Sequence, residues 1–283
     1  MSPAPLVVFA VPTRDRSESL VALLETFDAQ AAEAGVEWRA LVWDDASSEG
    51  ERARLRAWSG WGREQIEVRF SEGVERMRAK RHLDDMAVAA WDRRGEAYLA
   101  HLDDDVLPHP GWLAAALEPL RAGRFDGCGS AERVDGRLVL SGQTELQIEP
   151  VPVDGRVVRV WEWRREYVDG RRGAVEVAFA GHRAMVVRLE SVAAVPHDPA
   201  YTIGGEDLDW SLALRVAGQR LGIACDAVID HRARGEHDAP DFRAREHVLR
   251  SWRHFHGKWG FVRGGAASEA GLERDEWLRR VSA

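Results

Sequence analysis

Between Leu6 and Leu102 the chain alternates unbroken apolar runs with segments of helical periodicity, and no other feature limits its folding options so strongly. LVVFAVP, from Leu6 to Pro12, is a run of the kind a strand needs when both its faces are buried. It gives way to SESLVALLETFDAQAAEAG, where Leu20, Leu23, Leu24, Phe27 and Ala31 recur at helical spacing. Ser17 is placed to cap that helix and Gly35 to end it. EWRALVWDD reads as a second strand, followed by a polar helix over 47–58 and the strand QIEVRFS. A longer helix over 74–93 precedes the strand EAYLAHL, and HPGWLAAALEPLRAG opens another helix. Successive βα units of this kind predict a parallel sheet with helices on both faces.

After about Asp126 the texture changes. RLVLSGQTELQIE and RVVRVWEWRREYV alternate like antiparallel strands, with Asp-Gly turns at Asp135, Asp154 and Asp169. AVEVAFAGHRAMVVR is strand-like, GGEDLDWSLALRVAG a short amphipathic helix, QRLGIACDAVIDH a closing strand, and the tail from Pro240 a helix ending near Gly257. No Pro/Ser/Gly linker divides the 283 residues, so one continuous α/β body is expected. The formal charge of -8 makes a nucleic-acid backbone a poor partner. Lys80 and Lys258 are the only lysines; this arginine preference fits a GC-rich bacterial genome. Cys128 and Cys225 lie outside any C-x-x-C spacing and read as buried hydrophobes in a reducing cytoplasm. The N-terminus lacks a basic n-region, and no run approaches the roughly 18 apolar residues of a membrane span. A soluble cytoplasmic protein is expected.

Three strands end on polar signatures: VPTRDR, WDDAS and LDDDV. In an open α/β sheet ligands gather at the carboxyl ends of the strands, and these three would share one edge. Taken singly, each has a plain alternative. Asp103–Asp105 could be an acidic loop feeding a helix start, and Asp45 or Ser47 an N-cap. An EF-hand loop is excluded by Val106 and Leu107, which stand where its glycine and later ligands belong. In GGEDLDW, Glu206, Asp207 and Asp209 crowd a first helical turn. Leu208, Leu212 and Val216 would form its buried stripe, so one of Asp207 and Asp209 would face a cleft and the other solvent.

In order along the chain, VPTRDR, DDAS, RMRAKRHLDDMAVAA, LDDDVLPHPGWL, FAGHRAMVVRLESV, GGEDLDWSLALRVAG and DAVIDH resemble the nucleotide-diphosphate-sugar glycosyltransferases of family 2. The likeness covers about Val7 to His231. It implies a GT-A fold, a Rossmann-like mixed sheet flanked by helices with a smaller antiparallel acceptor-side region. Residues 1–125 would be the nucleotide-sugar half, 126–235 the acceptor-side and catalytic half, and 236–283 a helical tail. The tail's KWG ending resembles that of many family members and could order as a lid; equally, Trp252, Phe255 and Trp259 could simply pack on the body.

The resemblance also implies roles. Pro12, Thr13, Arg14 and Asp44 or Asp45 would hold base and ribose, Arg81 the nucleotide or its phosphates, and Asp103 with Asp104 the ribose or the metal shell. Asp105 and His231 would ligate Mn²⁺ or Mg²⁺, the imidazole tilting preference toward manganese. Asp207 would be the general base that activates a hydroxyl, with Glu206 orienting it, and inversion would follow. The donor would be a UDP-, GDP- or dTDP-sugar; the acceptor would be a small molecule, glycan, lipid-linked sugar or modified peptide. Trp161, Trp163, Tyr167 and Trp210 are candidates to stack on a ring-bearing acceptor. A nucleotidyltransferase or a dehydrogenase would want a glycine-rich phosphate loop after strand one, which PTRDRSE lacks. A non-catalytic nucleotide-sugar-binding protein is the alternative from another class. The absence of a Q-x-x-R-W motif favours transfer of a single sugar over polymerisation.

Overall fold

A computed structural model describes residues 4–93, 95–232 and 244–283. Strand β1 (Leu6–Thr13) leads through α1 (Ser17–Leu24) and α2 (Phe27–Ala34) to β2 (Glu37–Asp44). Then come α3 (Glu49–Ala57), β3 (Ile66–Phe70), α4 (Arg78–Ala90), β4 (Ala97–Leu102), the short β5 (Val106–Pro108) and α5 (Trp112–Arg121). The second half holds β6 (Gly127–Val134), β7 (Arg137–Leu140), β8 (Gly142–Gln143), β9 (Ile148–Val153) and β10 (Arg156–Trp161). It continues through β11 (Ala174–Glu176), β12 (Phe179–Ala180), β13 (Ala184–Arg188), α6 (Leu189–Ala194), α7 (Glu206–Val216) and β14 (Leu221–His231). From residue 244 onward come α8 (Arg245–Trp259), β15 (Val262–Arg263), α9 (Ala266–Glu269) and α10 (Arg274–Val281).

Among the described residues the main sheet runs β11-β14-β6-β13-β4-β1-β2-β3, with β5 on β14 and β7 on β6. Strands β4, β1, β2 and β3 are parallel, as the alternation predicts, and β13 enters antiparallel between β4 and β6. The twofold period of a strand explains why β1 is apolar throughout. Val7, Phe9 and Val11 pack with α1, α2 and α5, while Val8 and Ala10 pack with α4, α6 and α7 on the other face. A third core joins β9 and β10 to α8 and α10 around Trp252, Phe255 and Trp277. Phe255 is fully buried and Trp252 nearly so. Both therefore pack on the body, as the plainer reading of the tail expects, while residues 241–243 of that stretch lie outside the described residues.

Two local expectations change. The helix from Ser17 to Gly35 breaks at Glu25–Thr26 into α1 and α2, and Ser17 is the first helical residue after Arg16 rather than the cap. Its hydroxyl and amide instead donate to Glu51. Gly35 does end α2, at φ 64°. Two of the three Asp-Gly turns behave as read: Asp135-Gly136 and Asp154-Gly155 have positive φ at both residues and close the β6–β7 and β9–β10 hairpins. At Asp169-Gly170 only the glycine has positive φ, and the flanking β10 and β11 do not pair.

Candidate functional site

Parallel pairing brings the carboxyl ends of β1, β2 and β4 to one edge, with Thr13 opposite Asp44 in the β1–β2 register. The loops that leave those ends are locked to one another. Asp15 N–H donates to Ser47 Oγ at 2.8 Å, and Ser48 N–H donates to Asp15 Oδ1 at 2.7 Å. Asp15 and Ala46 hold φ values of 52° and 59° in these loops. A left-handed alanine costs roughly 1–2 kcal/mol, strain of the kind that collects where a loop must present its backbone to a ligand. Across the edge, Thr13 Oγ1 donates to Asp104 Oδ2 at 2.6 Å. Arg16 Nη1 bridges Asp104 at 3.2 Å and Asp105 at 2.7 Å. Burial pushes the Asp104 carboxyl up to about 7, more than Arg16 and Thr13 offset.

On the far side of Asp105 stands His231, at the end of β14. Its Nε2 lies 3.3 Å from Asp105 Oδ1, and its Nδ1 lies 3.4 Å from Glu132 Oε1 on β6. Arg183 in turn donates to Glu132. Hydrogen bonds to Asp105 and Glu132 push His231 up to about 9. Burial works against ionised Asp105, yet His231 and Arg16 hold it below the usual carboxylate range. A separation of 3.3 Å suits two ligands sharing one small divalent cation with bonds of about 2.1 Å, and a carboxylate with an imidazole is a donor set that suits manganese. Once His231 gives up its Nε2 proton, it and Asp105 could hold such an ion.

The third wall is the start of α7. Gly204 and Gly205 turn into it at φ 81° and 84°, a backbone that other residues rarely adopt. Lys80, from the first turn of α4, lies 3.4 Å from Glu206 and is buried. Burial opposes the Lys80 charge, but Glu206, Asp103 and Asp207 outweigh it and push its pKa up. Burial raises both Glu206 and Asp207, with Lys80 restraining each. The amide of Leu208 donates to Asp207 at 2.8 Å. Asp209 does not meet solvent: it is 2% exposed, accepting from Lys258 Nζ at 3.0 Å and Trp259 Nε1 at 2.6 Å. The expected stripe of Leu208, Leu212 and Val216 is also corrected. Val216 is 77% exposed, and Leu208, Trp210 and Leu214 form the buried side.

The other nominated residues fall as follows. Pro12 pairs with Trp43 in the sheet. Arg14 Nε lies 3.8 Å from Asp15. Asp44 accepts from Ser47 N–H and Arg52, and Asp45 from the amides of Glu75 and Arg76. Asp103 donates its amide to the Arg183 carbonyl at 2.9 Å. Arg81 donates to Asp85 one turn along α4, whereas its neighbour Lys80 reaches the acids. Trp161 and Trp210 are core residues bound to Gln143 and to the Val195 carbonyl, so neither stacks on an acceptor. Tyr167 is half exposed, with the Arg137 guanidinium 3.7 Å over its ring. The sequence reading missed Arg16, Lys80, Glu132 and Arg183. The rarity of lysine was the signal for Lys80; Arg16 and Arg183 stood in the segments VPTRDR and FAGHRAMVVRLESV without a role, and Glu132 carried no signal. It also missed Asp84, His101 and His197, whose ligand atoms all lie within 4.8 Å and which by donor type could hold a metal ion.

No family model matches the chain. No curated protein matches it either. Among solved structures, the crystal structure of GalNAc-T7 with UDP, GalNAc and Mn²⁺ aligns at a TM-score of 0.57 and 12% identity, over 99% of this chain and 55% of that one. The mannosyltransferase PcManGT from Pyrobaculum calidifontis, in complex with GDP-Man and Mn²⁺, aligns at 0.56 and 15% identity, over 100% of this chain and 74% of that one. The fold is that of the GT-A glycosyltransferases. In this GT-A chain the acid-tipped strand edge, His231 and the start of α7 are the polar features that its topology gathers. At such identities the likeness is one of fold, so the chemistry has to be argued from the residues.

Proposed function

We propose that this protein transfers a single sugar from a nucleotide-diphosphate donor to a hydroxyl acceptor, with inversion at the anomeric carbon. The observation that carries the reading is the meeting of Asp105 with His231, far apart in sequence, while Lys80 interacts with Asp103 and with Glu206 and Asp207 at the start of α7. Thr13 and the Asp44–Asp45 loop line the edge where base and ribose would lie, and Arg16 and Lys80 are cations near the diphosphate path. A divalent ion held by Asp105 and His231 would neutralise the charge that develops on the leaving diphosphate.

Asp207 serves as the base. Its raised pKa brings it nearer the pH at which a carboxylate both stays ionised and accepts a proton well, a contribution of about 10²–10⁴-fold. Lys80 holds Glu206 in place beside it and offsets part of the burial that raises the Glu206 carboxyl. Attack from the side opposite the diphosphate inverts the sugar. UDP-, GDP- and dTDP-sugars are the candidate donors, and a small molecule, glycan, lipid-linked sugar or modified peptide the candidate acceptors. Nucleotide release from UDP-glucose and GDP-mannose, with Mn²⁺ and with chelator, tests the reading. Metal-stimulated release supports it; tight nucleotide binding without turnover supports a binding protein instead.

One observation favours a second reading. Arg16 already bridges Asp104 and Asp105, so a guanidinium could supply the positive charge in a metal-independent transferase. Turnover unaffected by chelator and abolished by Arg16→Gln would select it.

A further inference from the structure

A second polar layer lies beneath the acids of α7. Lys80 and Asp84 stand one turn apart on α4, as Glu206 and Trp210 do on α7. In the outer layer Lys80 meets Glu206. In the inner layer Asp84 Oδ1 lies 2.9 Å from His101 Nε2, and Oδ2 lies 2.7 Å from His197 Nδ1 and 2.8 Å from the His197 amide. His197 Nε2 lies 3.1 Å from His182 Nδ1. His197 stacks on Trp210 at 4.2 Å, and His182 meets the same indole edge-on at 4.7 Å. None of the four polar residues is more than 2% exposed.

The donors in this chain can be assigned. An ionised carboxylate only accepts, so His101 carries its proton on Nε2 and His197 on Nδ1. His197 Nε2 is then a lone pair, and His182 must donate to it from Nδ1. Burial lowers both His182 and His197, which keeps the rings neutral. Burial alone would raise Asp84, but the imidazoles hold it far below the usual carboxylate range. Every Asp84 oxygen is thereby satisfied without an ion, and the 2.7 and 2.9 Å separations are hydrogen-bond lengths.

His182 lies in the tripeptide between β12 and β13. Next to it, the Arg183 carbonyl accepts the amide of Asp103, and the Arg183 guanidinium holds Glu132, the partner of His231. On its other side, a Cβ at Gly181 would come within 2.9 Å of the Ser141 carbonyl, so this backbone has little room to shift. We propose that Asp84, acting through His197 and His182, is a positioning relay that fixes the 181–183 segment and with it the Asp103 and His231 sides of the metal–nucleotide site. This rests on the metal-assisted transferase reading above.

Calorimetric titration of UDP and GDP into the full chain with Mn²⁺ tests the relay without turnover. Asn at position 182 can keep a donor where Nδ1 stands; Leu cannot. His182→Leu should weaken Mn²⁺-dependent binding about 10–100-fold, the usual cost of losing a residue that orients a metal ligand, while His182→Asn stays within about threefold of the parent. Equal binding by His182→Leu, or equal loss in both variants, would overturn the relay. Should His182→Leu fail to fold, Asp84→Asn replaces it, with a 10–100-fold loss expected on the same grounds and unchanged binding contradicting it. Stoichiometric zinc in the purified protein that disappears in Asp84→Asn would also overturn the relay, in favour of a buried metal site. Sugar-nucleotide turnover is measured separately: binding that follows the predicted pattern in a protein without turnover would keep the relay and sink the transferase.

Discussion

The chain's only two lysines both hold carboxylates on the first turn of α7: Lys80 the Glu206 side chain and Lys258 that of Asp209. Lys80 is the more consequential, since it is buried and the Glu206 side chain is only 12% exposed. Lys80→Met should cost about 3–5 kcal/mol, measured by urea unfolding, because it leaves a carboxylate buried without its partner. An unchanged midpoint would show that the pair is incidental. Asp207→Asn should leave donor binding near the parent value while cutting turnover by about 10²–10⁴-fold, because only proton removal is lost. Parallel losses in binding and turnover would remove the base assignment.

The inner imidazoles give a pH signature. Burial keeps His182 and His197 below their unfolded pKa, so the unfolded chain binds more protons below about pH 6.5 and stability is lost as pH falls. Raised carboxyls such as Asp104 act in the opposite sense between about pH 4 and 7, so the comparison has to be between variants. His182→Leu should lose less stability than the parent between pH 6.5 and 4.5, by up to about 1.4 kcal/mol per pH unit. Identical slopes would mean His182 is not held neutral. None of this was legible in the sequence. Asp84 and His197 stand 113 residues apart, and nothing in the sequence pairs them.

At the scale of elements, the apolar runs that became β1, β2, β4 and β14 were legible because a strand buried on both faces has few compositional alternatives. The edge formed by β1, β2 and β4 followed from parallel pairing, while β14 joins it through β6 and the antiparallel β13. Helix α7 was legible in outline but not in its facing. Its buried side includes Asp209, a charge made tolerable by Lys258 and Trp259 on α8, and no hydrophobic period can register such a partner. The same contact joins the C-terminal part of the chain to α7. Trp259→Phe removes one N–H donor from that carboxylate and should cost about 1–3 kcal/mol in unfolding experiments. No loss would mean that Lys258 suffices to hold Asp209.

The whole molecule is a mixed sheet covered on both faces, with a third core formed by β9, β10 and the C-terminal helices, in the GT-A arrangement. Among the described residues no helix is long and apolar enough to cross a membrane. Among the described residues, the acids and the histidine that meet at its edge run from Asp44 to His231, and the sheet is what makes them neighbours. The central claim is that Asp105 and His231 let a divalent ion and a nucleoside diphosphate bind together. Thermal unfolding with UDP or GDP, with and without Mn²⁺, tests it most directly, because a ligand at 100 times its Kd stabilises the folded state by about 2.7 kcal/mol. A rise in Tm is predicted only when ion and nucleotide are both present, and it should vanish in Asp105→Ala. Equal stabilisation without the ion, or an undiminished rise in Asp105→Ala, would contradict the account.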